Sequence, residues 1–195
     1  MKAIVCKEFG PPSKLILEDM EPLSPKKNEI LIDIHAAGVN FPDTLIIKDM
    51  YQFKPALPFT PGNEVAGVVS AVGEGVTTYS IGDEVIAMPT FGGYAEQIIV
   101  SPNQASKKPV NMDFTTAACF STTYGTSHYG LKDKAQLKAG EVVLILGASG
   151  GVGISAIEIA KAMGAKVIAA ASTDEKLAVC KEYGADELIN YGNYD

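Results

Sequence analysis

The sequence predicts an α/β chain in two parts, a β-rich first part and then the opening of a parallel α/β sheet. Two observations carry that prediction. Short apolar or alternating runs recur up to Val100, punctuated by Gly and Pro, a spacing that suits a small β-barrel or sandwich rather than a parallel sheet. From Glu141 the pattern changes: an aliphatic strand at 141–146, a cluster of small residues at 147–153, and an apolar helical pattern from Ile154 to Met163. Strand, glycine turn and helix in that order form the entry to a dinucleotide-binding βαβ unit.

In the first part, strands are expected at 3–5, 15–17, 30–36, 65–72, 85–88 and 95–100. Gly10-Pro11-Pro12, Ser24-Pro25, Gly73-Glu74-Gly75 and Gly82-Asp83 supply turns between them. Near Asn111 the pattern becomes helical. A helix is expected over 113–120, capped by Asn111 or Asp113, and a second over about 124–132. After the strand at 141–146 and its helix come a second strand at 166–171, a helix at 174–183 stopped by Gly184, and a third strand over 187–191. Two or three parallel strands leave a sheet edge and an apolar face uncovered. The chain is therefore expected to be part of a longer protein, or to have a partner over the gap. The same edges favour self-association into a homo-oligomer.

Composition narrows the function classes. The 195 residues are 47% hydrophobic and 20% charged, as in soluble globular proteins, and a net charge of −7 argues against nucleic acid as a partner. Cys6, Cys119 and Cys180 lie far apart and make neither a disulfide framework nor a metal cage. Cys119, in an apolar helix, reads as core filler. The strand-like start is too short for a signal peptide, and no apolar run reaches the roughly 20 residues of a membrane span. A cytoplasmic protein with no membrane partner is the expectation.

The small-residue turn carries the first chemistry. Ala148, Gly150 and Gly153 match the fingerprint spacing, with alanine at its first position. Gly150 lets the backbone approach a pyrophosphate, and Gly153 lets the helix pack on its strand. The N–H groups of Ser149, Gly151 and Val152 lie at the positive end of the helix dipole. At the end of the second strand, Ser172, Thr173 and Lys176 stand where an NAD site would place an acid. A hydroxyl and an ammonium suit a 2′-phosphate, which favours NADPH. Asp174 is the rival, since it could hold a ribose diol. Ser172 with Glu175 also reads as a helix capping box.

Longer stretches now carry a resemblance. His35-Ala36-Ala37-Gly38-Val39-Asn40-Phe41-Pro42-Asp43, Leu57-Pro58-Phe59-Thr60-Pro61-Gly62-Asn63-Glu64, Ile81-Gly82-Asp83-Glu84-Val85, Gly92-Gly93-Tyr94-Ala95-Glu96 and the segment 140–161 appear in this order. Together they resemble the zinc-independent quinone oxidoreductase branch of the medium-chain dehydrogenase/reductase superfamily. One departure is Glu158, where that branch usually has glutamine. The resemblance implies a GroES-like β-barrel catalytic domain over 1–122 and the first part of an NADPH-binding Rossmann domain over 123–195. It also implies a chain that continues further in the family.

By the same resemblance, Asn40 and Asp43 border the substrate cleft, Tyr51 lines it, and Thr126 contacts the nicotinamide end. Lys176 and Tyr191 surround the 2′-phosphate. Zinc-dependent members place a cysteine in the segment matching 38–43 and a histidine between the residues matching Gly62 and Glu64. Here Asn40 and Asn63 stand in those segments, so no soft ligand set is formed and no metal is expected. Without a Lewis acid the substrate must accept a hydride unaided, which suits a quinone or a related conjugated carbonyl (an enone). The alternatives are an enoyl-thioester or alkenal reductase on the same scaffold, or a non-catalytic fragment with weak nucleotide binding. Leu45 stands where the family often has a tyrosine, one hydroxyl fewer. Asn40 could instead serve its turn and Asp43 cap the following helical turn. Glu64 reads as a buried structural carboxylate, and His35 and His128 as packing or hydrogen-bonding residues.

Overall fold

A computed structural model describes residues 1–193. The chain divides into two compact units, Met1–Cys119 and Phe120–Asp195.

In the first unit, β1 (Lys2–Val5) and β2 (Ile16–Asp19) form an antiparallel pair. A second, antiparallel sheet holds β3 (Ile30–Ala37), β4 (Val65–Val72), β5 (Glu84–Ala87), β6 (Gln97–Val100) and β7 (Ala105–Lys107), in the order β6-β3-β4-β5-β7. Period-two alternation sends Ile30, Ile32, Val65, Val69, Val85 and Val100 into one core. Each such side chain contributes roughly 1.5–3 kcal/mol by leaving water. Between these strands, Asp33 Oδ1 accepts from Ser70 Oγ at 2.9 Å and from Gln97 Nε2 at 2.8 Å.

The expected barrel is open. Its hydrogen-bonded ladder ends at β6 on one side and at the three residues of β7 on the other, and β1 adds only the Ala3–Ala95 bridge. Sequence alternation reports which face of a strand is buried, not whether the edges meet. β7 lies in no expected strand, because three residues leave no alternation to read.

Helix α1 (Phe41–Ile46) starts before Asp43 rather than after it. Pro42 fits the first turn, and the Asp43 carboxylate satisfies the Asn40 N–H at 2.8 Å. Helix α2 (Phe114–Ala117) is shorter than the expected 113–120, and Asp113 is the cap, accepting from Thr116 N–H at 2.8 Å. Cys119 lies beyond it and is exposed, so it is not core filler, whereas Cys6 and Cys180 are buried. The apolar run 117–120 had implied a longer helix than forms. His35 stacks on Phe114 with ring centroids 4.4 Å apart, and buried Lys108 sits over the same ring while pairing with Glu84 at 2.9 Å.

The second unit opens with a helical run over 121–134. Wide π-type turns, Ser121–Gly125 and Tyr129–Lys134, flank one regular turn, α3 (Thr126–His128). The parallel sheet follows: β8 (Val142–Leu146), α4 (Gly151–Ala162), β9 (Lys166–Ala171), α5 (Asp174–Glu182) and β10 (Glu187–Asn190), with strand order β10-β9-β8. Ile145, Ile157, Ala160, Val167 and Cys180 form its core. Val142, Leu144 and Leu146 remain 59%, 53% and 73% exposed, so one face of β8 is uncovered. No helix among the described residues is long and apolar enough to cross a membrane.

Candidate functional site

The turn from β8 into α4 builds the first half of the site. Ala148 is fully buried and its N–H bonds to Ala170 O at 3.1 Å, which pins the loop to β9. Gly150 is the N-cap and carries no side-chain cap, and no acidic residue lies in the first turn of α4. The N–H groups of Gly151, Val152 and Gly153 precede the first intrahelical bond, Ile154 N–H to Gly150 O at 2.8 Å. They stand at the positive end of the helix dipole. A Cβ at Gly153 would lie 2.5 Å from Ala148 O, so only glycine lets α4 approach this closely.

Two buried serines hold this helix start. Ser155 Oγ bonds to Thr123 O at 3.0 Å and to Val152 O at 2.9 Å, and Ser127 Oγ bonds to Val152 O at 2.8 Å. The two hydroxyls also lie 2.9 Å apart. Together they tie the run over 121–134 to the loop helix, and Thr126 lies exposed beside Ser127. Neither serine stands in a recognisable sequence motif. The available signal was two serines inside otherwise apolar helical patterns, where a buried hydroxyl requires partners.

The second half is the tip of β9. Lys176 Nζ donates to Ser172 Oγ at 3.0 Å, so the hydroxyl and the ammonium already form a pair. The cap of α5 is Thr173, which accepts from Lys176 N–H at 3.4 Å, and not Ser172 with Glu175. The shift by one residue releases Ser172 from the helix end. Glu175 is held below the usual carboxylate range by backbone N–H bonding and then by the Thr173 hydroxyl. Asp174 Oδ1 accepts from Asn190 Nδ2 at 2.6 Å. Tyr191 begins the short turn Tyr191–Asn193 directly after β10 and is 44% exposed.

In the first unit, Asn40 and Asp43 come together at the start of α1. Asn40 forms a capping box there with Asp43. Its Nδ2 donates to Asn63 Oδ1 at 3.2 Å and to Glu64 Oε2 at 3.1 Å. Glu64 is fully buried. Asp43 is 6% exposed, and its Oδ2 accepts from Asn40 N–H and from the Tyr94 hydroxyl, each at 2.8 Å. Burial, then the bond to Asp43 and its charge, push the Tyr94 phenol far up, which keeps it protonated. Tyr94 was not expected in this group; it lies 51 residues from Asp43 and only the fold joins them. Tyr51 is half-buried against Cys6, Ile46, Ile47 and Phe59. Among the described residues no three His, Cys, Asp or Glu side chains are grouped to hold a metal.

Two family profiles match the chain: "Alcohol dehydrogenase GroES-like domain" over residues 26–110 and "Zinc-binding dehydrogenase" over residues 151–195. The quinone oxidoreductase of Sus scrofa is 43% identical over 193 residues, which covers 98% of this chain and 59% of that protein. The crystal structure of Escherichia coli quinone oxidoreductase complexed with NADPH superposes with a TM-score of 0.94 at 34% identity, covering 100% of this chain and 60% of that one. The CurK enoyl reductase structure matches with a TM-score of 0.89 at 34% identity, covering 97% and 59%. The chain thus spans 59% of the length of its Sus scrofa relative. Its first unit is a GroES-like domain with an open sheet, and its second is part of a Rossmann-type parallel sheet. With both profiles in this order and 43% identity along nearly all of its length, the chain belongs to the medium-chain dehydrogenase/reductase superfamily.

Proposed function

We propose that this chain is the nucleotide-loop and GroES-like portion of a zinc-independent oxidoreductase that moves a hydride from NADPH to a quinone or a related conjugated carbonyl. The observation that carries the reading is the Ser172–Lys176 pair at 3.0 Å, on the same sheet as an uncapped, acid-free helix start. A hydroxyl and an ammonium suit a 2′-phosphate, and the first turn of α4 suits a pyrophosphate. Tyr191 lies at the end of β10, next to the strand that carries Ser172. Ala148, Ser149, Gly150, Gly151, Val152 and Gly153 form the cradle, and a Cβ at Gly151 would press on the Thr123 methyl at 3.1 Å. A Cβ at Gly150 would meet only Gly147 O, at 3.5 Å, which leaves room there for a ligand.

When bound, NADPH supplies the hydride. The chain's part is to hold and orient. Thr126 stands at the exposed side of α3, in the helical run braced by Ser127 and Ser155. Asn40, Asn63 and Glu64 form a hydrogen-bonded amide–amide–carboxylate group where zinc-dependent relatives carry softer ligands. That group offers hard oxygen and amide dipoles, which support orienting a carbonyl substrate without a Lewis acid. Asp43 acts as a positioning residue, since it ties Asn40 N–H to the Tyr94 hydroxyl. Tyr51 contributes a wall and a hydroxyl. The likeness to an enoyl reductase structure at 34% identity favours one second reading, reduction of an enoyl thioester or alkenal. Assaying NADPH oxidation against quinones, enals and enoyl thioesters in the presence of chelator separates the two. Quinone-dependent oxidation that persists in chelator is expected. Equal turnover of primary alcohols with NAD would contradict the proposal.

A further inference from the structure

We infer that Asn190 sets the nucleotide preference of this chain, by holding the Asp174 carboxylate so that only the Ser172–Lys176 pair receives the adenosine ribose. The inference rests on the NADPH reading above and deepens it. The tip of β9 carries two receptors of opposite sense. Ser172 and Lys176 suit a 2′-phosphate, whereas a carboxylate at Asp174 would accept from a 2′-hydroxyl and repel a phosphate. Both cannot act at once, so something must decide between them.

Asn190 has the geometry to decide. Its backbone is held opposite Ala171 in the parallel β10–β9 ladder, which places its side chain beside the tip of β9. Its carboxamide is used at both ends: Nδ2 donates to Asp174 Oδ1 at 2.6 Å, and Oδ1 accepts from Gly192 N–H at 3.0 Å. A turn formed by an asparagine needs only the second of these bonds. The first reaches 16 residues back along the chain and engages the one acid that would compete for the ribose. The turn itself lies tight on the tip: a Cβ at Gly192 would sit 2.3 Å from Ser172 O. Asn190 thus couples three things, the silencing of Asp174, the seating of the turn, and the placement of Tyr191 between them.

The test is a double-mutant cycle on the 195-residue chain, read by calorimetric binding of NADPH, NADH, 2′,5′-ADP and 5′-AMP. Circular dichroism of each variant reports its fold. Asn190→Asp keeps the acceptor for Gly192 N–H but replaces the donor with a charge facing Asp174. It is expected to lower the NADPH-to-NADH affinity ratio by about tenfold, with the same loss for 2′,5′-ADP relative to 5′-AMP. Asp174→Asn leaves the turn untouched and is expected to move the ratio by less than about threefold in the native background, yet to restore about tenfold in the Asn190→Asp background. Equal weakening of all four ligands by Asn190→Asp would overturn the inference and leave Asn190 a turn former. A tenfold gain in NADPH affinity from Asp174→Asn alone would also overturn it, because Asp174 would then be active and not silenced. A native chain that prefers NADH, or binds neither nucleotide, fails before any substitution is made. That outcome removes the NADPH reading and the inference with it.

Discussion

Glu158 stands on α4, and its carboxylate accepts from the hydroxyl of Tyr124. That bond first, then burial and the Glu158 charge, pushes the Tyr124 phenol up to about 12. The folded value lies above the unfolded one, so the stabilisation is complete below the unfolded tyrosine range of about 10 and is lost as pH rises through about 12. A tyrosinate absorbance titration of Glu158→Gln should bring one late-titrating tyrosine down toward about 10. An unchanged titration curve would remove Glu158 as the cause. Glu158 thus acts on a phenol in the run Ser121–Gly125, more than one helical turn along α4 from the phosphate loop itself.

At the scale of elements, α5 and α4 divide the work of a helix start in opposite ways. Helix α5 is capped by Thr173 and has Asp174 and Glu175 in its first turn, so its own side chains satisfy its N-terminus. Helix α4 has neither a side-chain cap nor an acid in its first turn. Thr173→Ala should therefore cost about 1 kcal/mol in urea unfolding, and Ser172→Ala should cost little stability while weakening NADPH binding. If Ser172→Ala were the destabilising change, the cap would have been assigned one residue too late. The glycine turn was legible in the sequence because all its residues lie within one short stretch between a strand and a helix. β3, β4, β8 and β9 were legible because their aliphatic runs are long. The pairs Asn190–Asp174 and Tyr94–Asp43 were not, since each joins side chains from different elements and leaves no periodicity. The open barrel and the short strand Ala105–Lys107 escaped for a related reason: pairing, not pattern, defines them.

Across the whole molecule, several carboxylates are held below their usual range by specific partners. Asp186 is held down first by its bonds to Lys161, Asp113 by the Thr116 N–H, and Asp83 by the Ser80 N–H. Their folded values lie below the unfolded ones, so their contribution is present above the unfolded carboxylate range of about 4 and is lost as pH falls through the folded values. Thermal unfolding followed from pH 7 downward should show Tm falling below about pH 4, with a shallower fall in Asp186→Asn. A Tm independent of pH in that range would contradict these assignments. We propose that the second unit reads NADPH through the β8–α4 loop and the Ser172–Lys176 pair. The most direct test is calorimetric titration of the chain and of Gly153→Ala with NADPH and NADH. One NADPH site is expected, at least about tenfold tighter than for NADH. Binding of both is expected to be lost in Gly153→Ala, whose Cβ would meet Ala148 O at 2.5 Å. Equal affinity for the two nucleotides, or binding that survives Gly153→Ala unchanged, would contradict it.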